Sequence, residues 1–399
     1  MDRVVVVGAG LAGLRACEGL RARGHEGEVV LLGDEPQLPY DRPPLSKQFL
    51  AGEWEEDRVV LRPRADLARL GVDMRLGAEF RAVHLDAGEQ ALTLASGDSL
   101  SYDGLVLATG ARARTLPVFE LLERAHLLRT IADARALKTE LSAGRRLLVI
   151  GAGFIGMEVA ATARGLGVDV VVVELLETPL ARVLGRLPGE ACQDLHEAHG
   201  VRLLLGRGVE SLSERSDGTV QAVLTDGSSV EADVLLAGVG AVPNVEWLDD
   251  SGLEVGPSGV QCDGTLLAGP GVVVAGDLAL WPAGAGGTAR VRLEHRTNAA
   301  EQGDHAAATL LGDSKAFDTV PYVWSDQYDV KIQVLGLPQP EDECRVVVRG
   351  AEEGRFVAMY GRGGLLTGAV GFHMPRQLMQ IRPMLASPTP YEEATRRFA

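Results

Sequence analysis

Residues 3–13 read RVVVVGAGLAG, and residues 146–156 read RLLVIGAGFIG. In each, an uninterrupted β-branched and aliphatic run feeds into a G-x-G-x-x-G turn. A run apolar at every position fits a parallel strand covered on both faces. The glycines of such a turn have separate tasks. The first permits the tight turn, the second admits a pyrophosphate close to the backbone, and the third lets the next helix pack on the strand. That helix then presents its N-terminal amides to the phosphates. One such motif often marks an ordinary turn, but the surroundings match twice. Residues 29–32 (VVLL) lead to Asp34, and residues 170–173 (VVVV) lead to Glu174. These acids lie 26 and 23 positions after Gly8 and Gly151. At about that spacing, some 20 residues, a carboxylate meets an adenosine ribose.

Composition narrows the function. A chain of 399 residues, 46% hydrophobic and 24% charged, is globular and long enough for two to three domains. Its net charge of −16 argues against a general nucleic-acid binder. No apolar stretch approaches the roughly 18 residues of a membrane span, so no membrane partner is expected. The first strand begins at Arg3, which leaves no room for a secretory leader, and the expected location is cytoplasmic. The four cysteines lie at least 70 positions apart, so no dithiol or iron–sulfur centre is expected. Any electrons would travel on a bound organic cofactor.

Three further segments read as buried strands ending at a nucleotide site: 105–110 (LVLATG), 234–240 (VLLAGVG) and 272–277 (VVVAGD), the last with Asp277 at its tip. The expected class is α/β. Two Rossmann-like βαβ dinucleotide-binding domains, one inserted in the other, precede a small C-terminal α+β domain. The outer domain would comprise 1–111 and 241–315, the inner 112–240, and the C-terminal domain 316–399. In the last, 330–334, 344–348 and 356–360 read as strands and 361–364 as a turn. Residues 376–385 read as a helix with Leu378, Met379 and Ile381 inward. Two dinucleotides without redox cysteines point to a nicotinamide and a flavin.

Residues 39–47 (PYDRPPLSK) resemble the PYxRPPLSK segment of FAD-dependent, NADH-dependent ferredoxin reductases. These are oxygenase-coupled enzymes with a glutathione-reductase-like fold. ATGAR at 108–112, AGD at 275–277, EHRTNA at 294–299 and WSDQY at 324–328 follow in the family's order, so the resemblance spans essentially the whole chain. PPLSK and WSDQY discriminate, because many flavoproteins share the glycine turns. One departure is Arg296, where relatives often carry Trp.

The resemblance implies a set of roles. FAD would lie along Gly8, Gly10, Ala12 and Gly13, with Asp34 at its ribose. Arg42, Lys47, Phe80 and Arg129 would line the flavin side. Asp277 would hold the ribityl or pyrophosphate region, and Glu294, His295 and Arg296 would lie in the segment beside the ring. NADH would lie along Gly153, Phe154 and Ile155, with Glu174 and Arg182 at its ribose and Gly240 nearby. Glu158 and Trp324 would face the meeting point of nicotinamide and flavin, so that Lys47, Glu158 and Trp324 are the candidate catalytic residues. The electron acceptor would be an iron–sulfur ferredoxin feeding an oxygenase.

Elementary chemistry supports part of this independently. Hydride transfer needs the nicotinamide carbon held within about 3–3.5 Å of its acceptor, and positive potential near the ring to stabilise the reduced anion. Lys47, after a stiff Pro-Pro pair, is a natural cation, and a poorly solvated ammonium calls for a carboxylate partner. Glu158 is the candidate. The plainer alternative makes Lys47 a solvated loop residue and Glu158 a first-turn helix acid. Glu174 favours NADH over NADPH, because a carboxylate repels a 2′-phosphate, although Arg182 follows.

Cys192, His196 and His199 share one helix face at i, i+4 and i+7. With no fourth ligand in view, they read as a half-buried polar face rather than a zinc site. Residues 316–399 carry a charge of −1 and the rest −15. Ferredoxins are typically acidic, so the nearly neutral C-terminal domain with Trp324 is the expected docking side. Arg58, Arg62, Arg64 and Arg69 form a second candidate patch, or simply a solvated surface. A rubredoxin or quinone reductase would differ only at this exit. An apoptosis-inducing-factor-like flavoprotein, with NADH binding as a signal, is the non-enzymatic alternative.

Overall fold

The computed structural model describes residues 1–398 except 120–121, 123–124, 284–289 and 353. The chain separates into two compact units. The first comprises Met1–Asp41, Glu56–Arg112 and Ala241–Thr319, and the second Arg42–Glu55, Ala113–Gly240 and Val320–Ala399.

In the first unit, six strands form one sheet in the order Leu267–Gly269, Val272–Val274, Gly104–Leu107, Arg3–Val7, Glu28–Gly33, Asp73–Leu76. All neighbours are parallel except the first pair. The strand Arg3–Val7 shows why its sequence is apolar throughout. Val4 and Val6 pack toward the helix Leu11–Ala22 with Ala16, Cys17 and Leu20. Val5 and Val7 pack on the opposite face with Leu85, Leu92 and Leu100. Those three leucines come from an antiparallel meander, Ala82–Asp86, Ala91–Leu94 and Ser99–Ser101. Period-two alternation thus sends neighbouring valines into two separate cores.

The second unit repeats the plan. Its five-stranded parallel sheet runs Arg202–Leu204, Asp169–Val173, Arg146–Ile150, Val234–Ala237, Ala125–His126. The helix Phe154–Gly165 follows the glycine turn. A meander of Val209–Glu214, Val220–Leu224 and Ser229–Ala232 packs Val220, Ala222 and Leu224 against Leu148 and Ile150. The internal repeat therefore extends well past the two glycine motifs.

The same unit holds a five-stranded antiparallel sheet, Tyr322–Gln327, Val330–Gly336, Leu365–Phe372, Phe356–Arg362, Glu343–Arg349. Its core gathers Leu335, Val357, Met359, Leu378, Ile381 and Tyr391. Two expectations need correction. The expected helix over 376–385 is two short helices, Pro375–Met379 and Arg382–Leu385. Pro383 cannot donate to a preceding carbonyl and its ring clashes with the turn before it, so one helix cannot run through. Leu378 and Ile381 are buried as expected, but Met379 is 40% exposed. Among the described residues, no helix is long and apolar enough to cross a membrane.

Candidate functional site

The first glycine turn is built so that protein fills two of its three glycine positions. Gly8 has φ +114°, and a Cβ there would lie 2.1 Å from Ala108 O. A Cβ on Gly13 would lie 1.9 Å from Gly8 O. A Cβ on Gly10 would meet nothing within 4 Å among the described residues beyond its own stretch of chain. The middle glycine thus faces open space at the start of the helix Leu11–Ala22, which has no capping side chain and no acid in its first turn. Its unclaimed amides and positive helix end suit a pyrophosphate.

Around this turn the first unit places most of the expected residues. Asp34 is exposed at the tip of Glu28–Gly33, and Phe80 is half-buried against the core. Asp277 is buried in the turn Gly276–Leu278, whose Gly276 N donates to buried Gln302 Oε1 at 2.8 Å. Arg292 donates to Asp277 O at 3.0 Å and pairs with exposed Glu294 at 2.7 Å. His295 Nδ1 is buried with no hydrogen-bond partner among the described residues. Burial pushes its pKa down to about 4, so the ring is neutral and has a ring nitrogen to offer a bound molecule. Arg296 Nε contacts both carboxylate oxygens of Asp41, at 2.7 and 2.9 Å. The departure from the family pattern expected at Arg296 is thus a residue held in an ion pair.

The turn of the second unit has the same design. A Cβ on Gly151 would meet Gly238 O at 2.5 Å and one on Gly156 would meet Gly151 O at 2.2 Å, while one on Gly153 would come no closer than 3.9 Å, to Gly238 O, among the described residues beyond its own stretch of chain. Phe154 and exposed Ile155 open the helix. The Glu174 carboxylate accepts from Ala152 N at 2.7 Å and Leu176 N at 2.9 Å, which ties the acid to the turn. Leu180 N donates to Ala152 O at 2.9 Å and starts the short helix Ala181–Leu184, with exposed Arg182. Exposed Gly240 has φ +103°, and its carbonyl accepts from Arg114 N at 2.9 Å.

The second unit also holds a buried ion pair. Residues Pro43–Ser46 form a 3-10 turn that carries Lys47 onto the helix Phe154–Gly165. Lys47 Nζ reaches Glu158 Oε2 at 2.6 Å, Pro43 O at 2.9 Å and Ser46 Oγ at 3.1 Å. All three ammonium protons are thereby used. Ser46 Oγ donates to the same Oε2 at 2.5 Å, and Ser325 Oγ donates to Oε1 at 2.7 Å. Only 11% of the Lys47 side chain and 4% of the Glu158 side chain are exposed. A charge pair so dry persists only because its geometry and hydrogen bonds are complete. Next to Ser325, half-buried Trp324 stacks on Tyr322 with ring centres 5.9 Å apart, and Lys331 Nζ lies 6.0 Å from its ring.

Residues 2–303 match the family model described as pyridine nucleotide-disulphide oxidoreductase. The chain belongs to that family. Residues 322–396 match a second model, described as reductase C-terminal. This oxidoreductase is 38% identical to rhodocoxin reductase of Rhodococcus erythropolis, over 97% of this chain and 90% of the relative. It is 37% identical to the anthranilate 1,2-dioxygenase system ferredoxin–NAD(+) reductase component of Burkholderia cepacia, over 97% and 94%. Among solved structures it is similar to the covalent putidaredoxin reductase–putidaredoxin complex, with a TM-score of 0.92, 32% identity and coverage of 99% and 95%.

Within the second unit of this oxidoreductase, Lys47 and Glu158 come together, and the Ser325 contact brings in the strand that carries Trp324. The plainer readings of both charged residues fail on position. Lys47 is not solvated, and Glu158 lies beyond the first turn of its helix, which contains no acid. Arg42 Nη1 donates to Arg129 O at 2.6 Å, so these two also meet. Cys192 and His196 are buried on the helix Arg186–Ala198, while His199 caps its end and is exposed. Burial pushes the Cys192 thiol up to about 12, and Cys192 and His196 both contact Gln327. Among the described residues no group of three ligands could hold a metal. In the arginine patch, Arg62 is paired with Glu18 at 2.7 Å and Arg69 with Asp66 at 2.8 Å, which reduces its free charge.

Sequence reasoning missed Ser46, Ser325 and Gln327. The signal was present: Ser325 and Gln327 alternate on one strand and share its buried face. Buried polar side chains there require partners.

Proposed function

We propose that this oxidoreductase takes reducing equivalents from NADH, holds them on FAD and delivers electrons singly to a ferredoxin that supplies an oxygenase. The observation that carries this reading is the doubled turn, in which each middle glycine could take a Cβ without clash among the described residues while the glycines on either side could not. The relatives' names, a ferredoxin–NAD(+) reductase component and a reductase joined to putidaredoxin, support the acceptor.

FAD, when bound, would supply the redox chemistry that links a two-electron donor to a one-electron acceptor. The protein binds, orients and balances charge. We assign FAD to Gly8, Gly10, Ala12, Gly13 and Asp34, with Phe80, Asp277, Glu294, His295 and Arg296 around it; Arg42 and Arg129 are assigned to FAD on the resemblance alone. We assign NADH to Gly153, Phe154, Ile155, Glu174, Arg182 and Gly240. The carboxylate of Glu174 accepts from a ribose hydroxyl and disfavours a 2′-phosphate, so NADH is preferred. With the cofactors bound, Lys47 would supply fixed positive charge for the reduced flavin, Glu158 would keep that charge in place, and Trp324 would shield the nicotinamide.

We further propose the three-part division into 1–111 with 241–315, 112–240 and 316–399, supported by separate cores under the second parallel sheet and the C-terminal sheet. The acidic surface disfavours nucleic acid, and a cytoplasmic location accords with a partner that must carry electrons between soluble proteins.

The test is NADH-dependent reduction of an oxygenase-system ferredoxin by the FAD-loaded protein. Ferredoxin reduction much faster than reduction of a quinone or rubredoxin supports the reading. NADH oxidation without ferredoxin reduction contradicts it.

A further inference from the structure

Lys47 is one of several groups holding Glu158. Behind the carboxylate runs a chain of hydrogen bonds. Ser325 Oγ lies 2.7 Å from Glu158 Oε1, Gln327 Nε2 lies 3.1 Å from Ser325 Oγ, and His196 Nε2 lies 2.8 Å from Gln327 Oε1. Tyr328 Oη lies 3.1 Å from His196 Nδ1.

Donor and acceptor chemistry fixes the direction of every link. An ionised carboxylate only accepts, so Ser325 spends its proton on Glu158. Ser325 Oγ then accepts from the amide of Gln327. The Gln327 carbonyl only accepts, here also from Cys192 Sγ at 3.5 Å, so His196 carries its proton on Nε2. Its Nδ1 is left as the acceptor for the Tyr328 hydroxyl. Burial supports a neutral ring, pushing the His196 pKa down to about 4. Ser325, Gln327 and His196 are each 0% exposed. Tyr328 adopts φ +55° at the hairpin turn and stacks on His199 with ring centres 3.6 Å apart. A left-handed tyrosine is uncommon and persists where its surroundings hold it.

A fully buried polar chain contributes little stability over well-packed apolar residues, but it does specify one geometry. We infer that Ser325, Gln327, His196 and Tyr328 form a one-way donor relay that orients the Glu158 carboxylate, and through it the Lys47 ammonium. Gln327 and His196 are then positioning residues for reduction of the flavin. This rests on the proposed role of the Lys47–Glu158 pair.

Two experiments on the FAD-loaded protein test it. The first needs no variant for its readout. In nitrogen-15 histidine-labelled protein at neutral pH, the His196 resonances, assigned by their loss in His196→Gln, should show the Nε2–H tautomer. An Nδ1–H tautomer or a doubly protonated ring overturns the relay. The second is rapid mixing with NADH. Gln327→Leu and His196→Leu should each reduce flavin about tenfold more slowly at saturating NADH, as expected for losing a hydrogen bond linked to a charged group. NADH affinity should be unchanged. His196→Gln, which keeps an amide donor, should recover most of the rate. Wild-type rates in both leucine variants overturn the relay. Lys47→Met separates the two claims. If it is slow while Gln327→Leu is normal, only the relay fails; if it too is normal, the proposed role of the ion pair fails and the relay with it.

Discussion

Lys47 Nζ and Glu158 Oε2 sit 2.6 Å apart, with both side chains almost wholly removed from solvent. The two residues lie 111 positions apart in the chain. Removing either charge leaves the other buried and unmatched, which costs about 3–5 kcal/mol in comparable pairs. Glu158→Leu should therefore unfold at markedly lower urea concentration than wild type. A double variant, Lys47→Met with Glu158→Leu, should regain much of that loss. Urea unfolding followed by circular dichroism checks both, and an additive double variant contradicts the pairing.

The glycine turns separate folding from binding. At Gly10 a methyl group enters free space at φ −82°, whereas at Gly8 it meets Ala108 O at φ +114°. Gly10→Ala should keep its thermal stability but lose FAD occupancy, because the methyl sits where the pyrophosphate approaches. Gly8→Ala should lose both. Flavin content and melting temperature, measured on the same samples, distinguish these outcomes.

Glu174 joins the second turn to its strand end through Ala152 N and Leu176 N. Glu174→Ala should weaken NADH binding about tenfold or more, in line with a hydrogen bond to a charged group, and leave FAD in place. It should also cost about 1–3 kcal/mol of stability, since two amides lose their acceptor. Equal loss of both cofactors would contradict the assignment of two separate sites.

Much of this arrangement was legible in the chain. The all-apolar strands and their glycine turns announced two parallel sheets, because burial on both faces leaves no room for alternation. The meanders at 82–101 and 209–232 were not legible, since short half-polar strands give weak periodic signals. Residues 365–372 (LLTGAVGF) escaped notice because two glycines, Gly368 and Gly371, disguise a strand. The resemblance of 39–47 pointed to Lys47, and charge compensation pointed to Glu158. The Ser325–Gln327–His196 chain could not be read, because it depends on a hairpin meeting a helix more than 125 positions away.

Buried histidine gives a pH signature. His196 is pushed down to about 4 from an ordinary 6.5. The unfolded chain therefore binds the extra proton between those values, and the folded protein does not. Stability from the neutral ring is complete above pH 6.5 and is lost as pH falls toward 4. Urea unfolding across that window should show a steeper loss for wild type than for His196→Gln, by up to about 1.4 kcal/mol per pH unit. Parallel curves would show that His196 is not held neutral.

Anaerobic titration of the FAD-loaded protein with NADH, followed at the flavin's visible absorption band, tests the central claim most directly. The band should bleach with about one equivalent of NADH and resist the same amount of NADPH. Protein that takes up no flavin, or whose flavin stays oxidised through excess NADH, would contradict it.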